Sequence, residues 1–153
     1  MPTMTTALQI SSLLLISLIV GSMFGIWRGY NPANFSPTTF VEVHQGAVRG
    51  LNILLPAMAL ASILIVVALA WLGRGMPLPL WLYIAAAVAM VAGGLITRFG
   101  NQPLNAIIMA WGAVPPDGWQ IIRDIWWNWH LARLAAGIAA ELLLIAAIFT
   151  DRS

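Results

Sequence analysis

The chain contains no cysteine and no lysine, and charged residues make up only 8% of its 153 positions. The missing thiols exclude disulfides, thiolate nucleophiles, c-type haem attachment and cysteine-ligated metals, and they leave the redox compartment unspecified. Without lysine, the formal charge of +2 rests on seven arginines set against five acids. Those arginines are scattered among apolar residues without a basic run, which argues against a nucleic-acid partner. Ordinary soluble domains carry about 25% charged residues. The shortfall, together with 61% hydrophobic residues and a mean hydropathy of +0.89, places the chain in a bilayer. There are no internal repeats, no low-complexity tracts and no strand-like alternation, so the expected fold class is all-α, in one domain over 1–153.

Crossing roughly 30 Å of hydrocarbon takes about 20 apolar residues at about 1.5 Å each. Four segments qualify, at about 7–27, 51–72, 78–97 and 131–150. The first is expected to be a span and not a signal peptide, because "MPTMTTALQISS" lacks a basic n-region and no A-x-A site follows. Between the second and third spans, "GRGMPLP" stops one helix at Gly73 and Gly75 and starts the next at Pro77 and Pro79. An even number of crossings puts both termini and this turn on one side, here called the plain side.

Two longer connections lie on the opposite, rich side. Ser36 followed by Pro37 reads as N-cap and N1 of a second helix that starts near Ser36 and reaches the membrane some four turns later. Gly100 is expected to end the third helix, "NQPLNAIIMAW" to form a short re-entrant or interfacial helix, "GAVPP" to break it and Asp117 to cap the fourth. The expected architecture is an integral membrane four-helix bundle. Its second and fourth helices extend beyond the bilayer on one side, with a short helix between the third and fourth.

The polar residues divide unevenly. Arg74, Asp151 and Arg152 fall on the plain side, with Trp71 and Trp81 as an aromatic belt. The rich side collects Arg28, Glu42, Arg49, Arg98, Asp117, Arg123, Asp124, Arg133, both histidines and the six other tryptophans. Charge bias favours the cytoplasm for this side, and the expected location is the cytoplasmic membrane of a bacterium. At about 100° per residue, Arg123, Trp127, His130, Leu134, Gly137 and Glu141 form one stripe of the fourth helix, with Trp126 and Arg133 at its margin. Glu42, Gln45, Arg49, Asn52 and Pro56 align on the second, with His44 about a quarter turn away. Arg98, Asn101 or Gln102, and Asn105 align at the end of the third. Lipid cannot satisfy such stripes, so they are expected to face inward and line a pocket.

Glu141, alone among aliphatics, needs either an arginine or a neutral state bonded to another helix's backbone or hydroxyl. His44 and His130 suit hydrogen bonding or acid/base work near neutral pH; a bis-histidine haem across two helices is the competing use. Trp126, Trp127 and Trp111 serve as core and interface anchors or as a stacking surface for a flat ligand. Gly93, Gly94, Ala85 and Ala86 permit close helix contacts within or between chains, which leaves a homo-oligomer open.

"TRFGNQPLNAIIMAW" followed by "PPDGWQIIRDIWWNWHLARLAAGIAAELL", with "HQGAVRGLNILLP" before them, resembles the DUF1772 membrane proteins, a family that includes the fungal anthrone oxygenases. The matching elements are Asn101, Pro103 and Asn105, then Trp119 and Arg123, then Trp126, His130 and Arg133. The resemblance implies oxidation of an electron-rich anthrone or hydroquinone by O2, without flavin, haem or metal. In that scheme His130 or His44 is the base. Arg123, Arg133 and Arg98 hold the anion and superoxide, and Asn101 and Asn105 bind substrate oxygens, in a pocket to which Arg49, Asn52, Trp111, Trp119, Trp126 and Trp127 contribute. Two other classes stay open. One is a non-catalytic membrane protein in which Arg123 with Asp124, Asp117 with Arg98 and Glu42 with Arg49 are structural pairs. The other is a haem- or quinone-binding redox protein.

Overall fold

The computed structural model describes residues 4–151; Arg152, expected on the plain side, lies outside them. Among the described residues six α-helices follow one another: α1 (Met4–Gly29), α2 (Pro37–Leu51), α3 (Leu54–Leu72), α4 (Pro77–Ile96), α5 (Gln102–Met109) and α6 (Trp119–Thr150). A 3-10 turn at Pro32–Asn34 precedes α2, and a π-helical turn at Thr97–Asn101 joins α4 to α5. Four stretches are long and apolar enough to cross a membrane: Met4–Asn34, Leu54–Leu72, Pro77–Met109 and Trp119–Thr150. The protein is an all-α, multi-pass membrane protein built as a four-helix bundle.

The spans close in the order α1, α3, α4, α6 and back to α1. Ile16, Val66, Leu69, Ala86, Leu134 and Leu144 are buried between them, while Leu14, Leu64, Trp81 and Phe149 stay on the outside. That division is the one a bilayer imposes, since lipid replaces water as the partner for outward apolar side chains. Gly137 permits the close approach of α1 to α6: a Cβ there would lie 2.8 Å from Met23 Cε and 3.2 Å from Val20 Cγ2. At Gly93 of α4 a Cβ would meet Ala136 at 3.7 Å, an ordinary packing distance.

Polar side chains tie the spans at two depths. At the plain end, the Tyr83 hydroxyl donates to Asp151 at 2.9 Å, and Gln9 Nε2 donates to Tyr83 and to Asp151, both at 3.1 Å. Deeper in, the Ser17 hydroxyl of α1 donates to Glu141 of α6 at 2.5 Å. Glu141 is therefore bonded to another helix's hydroxyl rather than to an arginine.

At the rich end the backbone departs from expectation in three places. The second helix is not continuous: α2 ends with the Asn52 N–H on the Val48 carbonyl at 3.0 Å, and α3 begins with Ala57 on Ile53 at 3.1 Å. Pro56 is the cause, because it has no N–H to offer the Asn52 carbonyl and its ring collides with that carbonyl. Gly100 does not end the third helix. The Gln102 N–H reaches back five residues to Thr97, and the resulting π turn absorbs Pro103 without breaking the rod. Asp117 does not cap α6; the N-cap is Gly118, in the left-handed region at φ +75°, with no side-chain cap bond. Ser36 does cap α2, accepting from Thr39 N–H at 3.3 Å, with Pro37 at the first turn.

Candidate functional site

Because α2 is released from α3 at Pro56, it lies over the rich end of the bundle as a roof. Gln45 pins it there, donating to the last carbonyls of the α5 region, Ile108 and Trp111, both at 3.0 Å. Phe40 stacks on Trp119 at 5.1 Å between ring centroids and packs near Trp111 at 6.4 Å, within an apolar cluster with Val41 and Ile108. Arg49 and Glu42 are exposed on the outer face of this roof, beside Trp111 in a separate shallow cleft. The inward orientation expected for them fails because α2 lies outside the spanning segments, where water satisfies its polar face and its apolar face turns inward.

Beneath the roof is a cavity of about 820 Å³. Its deep walls are apolar, from Ile16, Val20, Ile63 and Met90, and Phe35, Phe40 and Val48 close it above. His44, Arg98, Gln102, Asn105 and Arg133 gather near the roof, Asn52 lies at the α2–α3 break, and Trp126 forms one wall. Exposed rim positions include Gly21, Leu60 and Gly94 on the spans, so the cavity borders the lipid as well as the rich side.

Two hydrogen-bond chains organise the polar end. Trp126 Nε1 donates to Asn105 Oδ1 at 2.8 Å, and His44 Nε2 is 3.2 Å from the same oxygen. An indole N–H only donates, which fixes the amide with its oxygen toward both partners, and that oxygen only accepts. His44 therefore carries its proton on Nε2 and keeps a lone pair on Nδ1. Burial lowers the His44 pKa from 6.5 to about 4; the Asn105 bond opposes this and the charge of Arg133 adds to it. His44 is neutral at ordinary pH.

In the second chain, His130 Nε2 is 3.1 Å from the Met23 carbonyl, and its Nδ1 accepts from Arg133 Nε at 3.3 Å and Nη2 at 2.9 Å. The ring is fully buried and sandwiched between Trp126 at 5.2 Å and Trp127 at 5.4 Å. His130 thus stands behind the cavity wall and presents Arg133 to it. Trp126 also separates the two histidines, meeting His44 edge-on at 4.8 Å. That packing leaves no space for a haem between the two imidazoles.

Of the residues expected to form a site, six line the cavity: His44, Asn52, Arg98, Asn105, Trp126 and Arg133. Asn101 is buried beside it, donating from Nδ2 to the Trp126 carbonyl at 3.1 Å, with Oδ1 unpartnered among the described residues. Trp127 lies beyond His130, and Trp111 and Trp119 belong to the roof packing. Arg123 does not reach the cavity. It pairs with Asp124 at 2.8 Å and lies over the Trp119 ring at 5.0 Å. Among the described residues, no ion pair joins Asp117 to Arg98 or Glu42 to Arg49; Arg98 instead donates to Gln102 at 3.3 Å. The inner face of α6 runs through Trp126, His130, Arg133, Gly137 and Ala140, roughly 60° from the stripe that Arg123 and Glu141 define. Two contributors carried no signal in the sequence: the Met23 carbonyl, a backbone atom, and Phe40, one aromatic among many.

Fold and cavity together define a polytopic helical membrane protein with a ligand-sized, mainly apolar chamber that is polar at one end. A model of the anthrone oxygenase family matches residues 45–143, about two thirds of the chain, and the chain belongs to that family. The matched stretch starts on the roof helix and covers α3 to α5 and most of α6, including Asn105, Trp126, His130 and Arg133. Comparison with curated proteins and with solved structures gives no match.

Proposed function

We propose that the protein oxidises an electron-rich aromatic of the anthrone or hydroquinone type with O2, inside the chamber under α2. The observation that carries this reading is the pairing, at the polar end of an apolar chamber, of a neutral imidazole whose Nδ1 lone pair is free (His44) and a guanidinium (Arg133), neither with an acid partner among the described residues. His44 takes the proton from the acidic C–H or O–H, and the carbanion or phenolate that remains gives one electron to O2. For an anthrone, radical and superoxide join as a peroxide. Loss of the second proton from that carbon with O–O cleavage gives the ketone, so one oxygen atom enters the product and the other leaves as water. Arg133 and Arg98 stabilise the negative charge as it forms, Asn105 and Asn52 contact substrate oxygens, and Trp126 supplies a flat wall. Apolar walls concentrate both a lipid-soluble substrate and O2.

We place the reaction in the cytoplasmic membrane of a bacterium, for which helical spans rather than a barrel are suited. The test is O2 uptake and quinone absorbance with a hydroxyanthrone and protein in nanodiscs, measured against the spontaneous rate. General-base catalysis contributes about 10² to 10⁴-fold, and His44→Ala should lose that factor. Uptake no faster than the spontaneous rate would sink the proposal. Ligand binding without uptake would select instead a non-catalytic binder of hydrophobic aromatics.

A further inference from the structure

We infer that Arg133 is a preset oxyanion site and that the chamber takes an aromatic ligand that already carries one ionised group, a phenolate or an aryl carboxylate, distinct from the C–H or O–H that His44 deprotonates. The inference rests on the chamber being a ligand site, as proposed above, and adds the charge of the ligand and the residue that reads it.

Among the described residues, the charged ones lining the chamber are Arg98 and Arg133, with no aspartate or glutamate. The acids nearest in sequence along α6 are occupied elsewhere, Glu141 by Ser17 and Asp124 by Arg123. Holding a guanidinium in an apolar, membrane-level site without a counter-charge is costly, and such a group is kept where it serves a ligand. Arg133 is not left loose, however. Two of its N–H groups converge on His130 Nδ1, and its guanidinium sits 5.8 Å from the Trp126 ring centroid.

The choice of histidine as the orienting group is informative. A carboxylate at position 130 would hold Arg133 equally well but would also neutralise it. An imidazole whose Nε2–H is taken by the Met23 carbonyl offers a neutral acceptor, so the cation is aimed and its charge remains available. Arg133 Nη1 has no hydrogen-bond partner among the described residues, which leaves that edge of the fork for a ligand oxygen. His130 is accordingly a positioning residue, acting through Arg133. The walls, from Val20, Ile63, Met90 and Trp126, suit the ring system of such a ligand.

The test compares three probes at one neutral pH with protein in zwitterionic nanodiscs, read by quenching of tryptophan fluorescence: anthraquinone, anthraquinone-2-carboxylate, and a hydroxyanthraquinone whose phenolate is recognised by its red-shifted absorbance. A lost charge-assisted contact corresponds to about ten- to a hundredfold in affinity. Arg133→Met should weaken an anionic probe by that factor and leave neutral anthraquinone within about twofold, which also shows that the chamber still folds. Whichever anionic probe shows the larger loss identifies phenolate or carboxylate as the preferred group. His130→Leu should reduce the preference for anions over the neutral probe, and His130→Asn, which keeps an acceptor, should restore part of it. Equal losses for neutral and anionic probes, or anion binding unaffected by Arg133→Met and Arg133→Gln, would overturn the inference while leaving the chamber as a ligand site. Failure of the wild type to bind any of the three would overturn the chamber reading and this inference with it.

Discussion

His44 and His130 lie on either side of one tryptophan ring, yet their neighbours give them different work. Asn105 takes the Nε2 proton of His44 and leaves Nδ1 free, whereas both nitrogens of His130 are occupied, by Met23 and by Arg133. Asn105→Leu removes the acceptor that orients both Trp126 and His44. It should cost turnover about 10-fold or more through the misplaced base, measured as quinone formation, with a smaller loss of neutral-probe binding from the missing amide contact. The depressed pKa of His44 also sets a pH dependence. Its value is 6.5 when exposed and about 4 in the folded protein, so the unfolded state binds more protons between those limits. Stability is complete above about pH 6.5 and falls as the pH drops toward 4, by roughly 2–3 kcal/mol at about 1.4 kcal/mol per pKa unit. Thermal denaturation in detergent from pH 8 to 4.5 should show at least this decline in the wild type, and His44→Gln should make it shallower. The fraction of His44 able to accept a proton stays high down to about pH 5, so turnover should not drop with a midpoint near 6.5.

At the scale of elements, the site depends on two interruptions of helices. The break at Asn52–Ile53 frees α2 to roof the bundle, and the π turn at Thr97–Asn101 changes the rotation of α5 so that Asn105 meets Trp126 and His44. Pro56→Ala supplies the missing N–H and relieves the clash with the Asn52 carbonyl. It should extend helical hydrogen-exchange protection across residues 52–57, lift His44 away from Asn105 and weaken probe binding, with no loss of thermal stability. Gly137→Val puts a branched side chain where even a Cβ is 2.8 Å from Met23 Cε and 3.2 Å from Val20. Overpacking of this kind costs about 1–3 kcal/mol, and moving α1 away also shifts the Met23 carbonyl from His130. Lower thermal stability together with a reduced preference for anionic probes is expected. Much at this scale was legible from local chemistry: Ser36 and Pro37 start α2, and the Gly73 to Pro79 stretch makes the tight turn. The π turn was not legible, because Gly100 and Pro103 read equally well as a helix end, and only contact with α6 decides that the backbone continues. Trp129 occupies the space a Gly100 side chain would need.

For the whole molecule, four crossings put the α3–α4 turn and the C-terminal end of α6 on one side and the α5–α6 connection on the other. The absence of cysteine makes this directly testable, since a single introduced cysteine is the only thiol present. Labelling from one face of sealed vesicles should group Gly75→Cys with Thr150→Cys, and Gly112→Cys should react only from the opposite face. Equal accessibility of Gly75 and Gly112 from one side would contradict the bundle.

Composition and the lengths of apolar runs by themselves determined the solvent, the number of crossings and the end at which polar chemistry collects. These follow from a one-dimensional constraint: a bilayer has one thickness, and backbone inside it must be helical or closed into a barrel, of which only the helix fits apolar runs of about 20 residues. Which polar residues meet was decided only by tertiary packing. Helical periodicity gives relative angles on one rod but not the rotation of that rod against its neighbours, so the face defined by Arg123 and Glu141 lies about 60° from the one that packs inward. The same packing turns Arg49 to water and His44 inward, and it occupies both ring nitrogens of His130, with the Met23 carbonyl and Arg133.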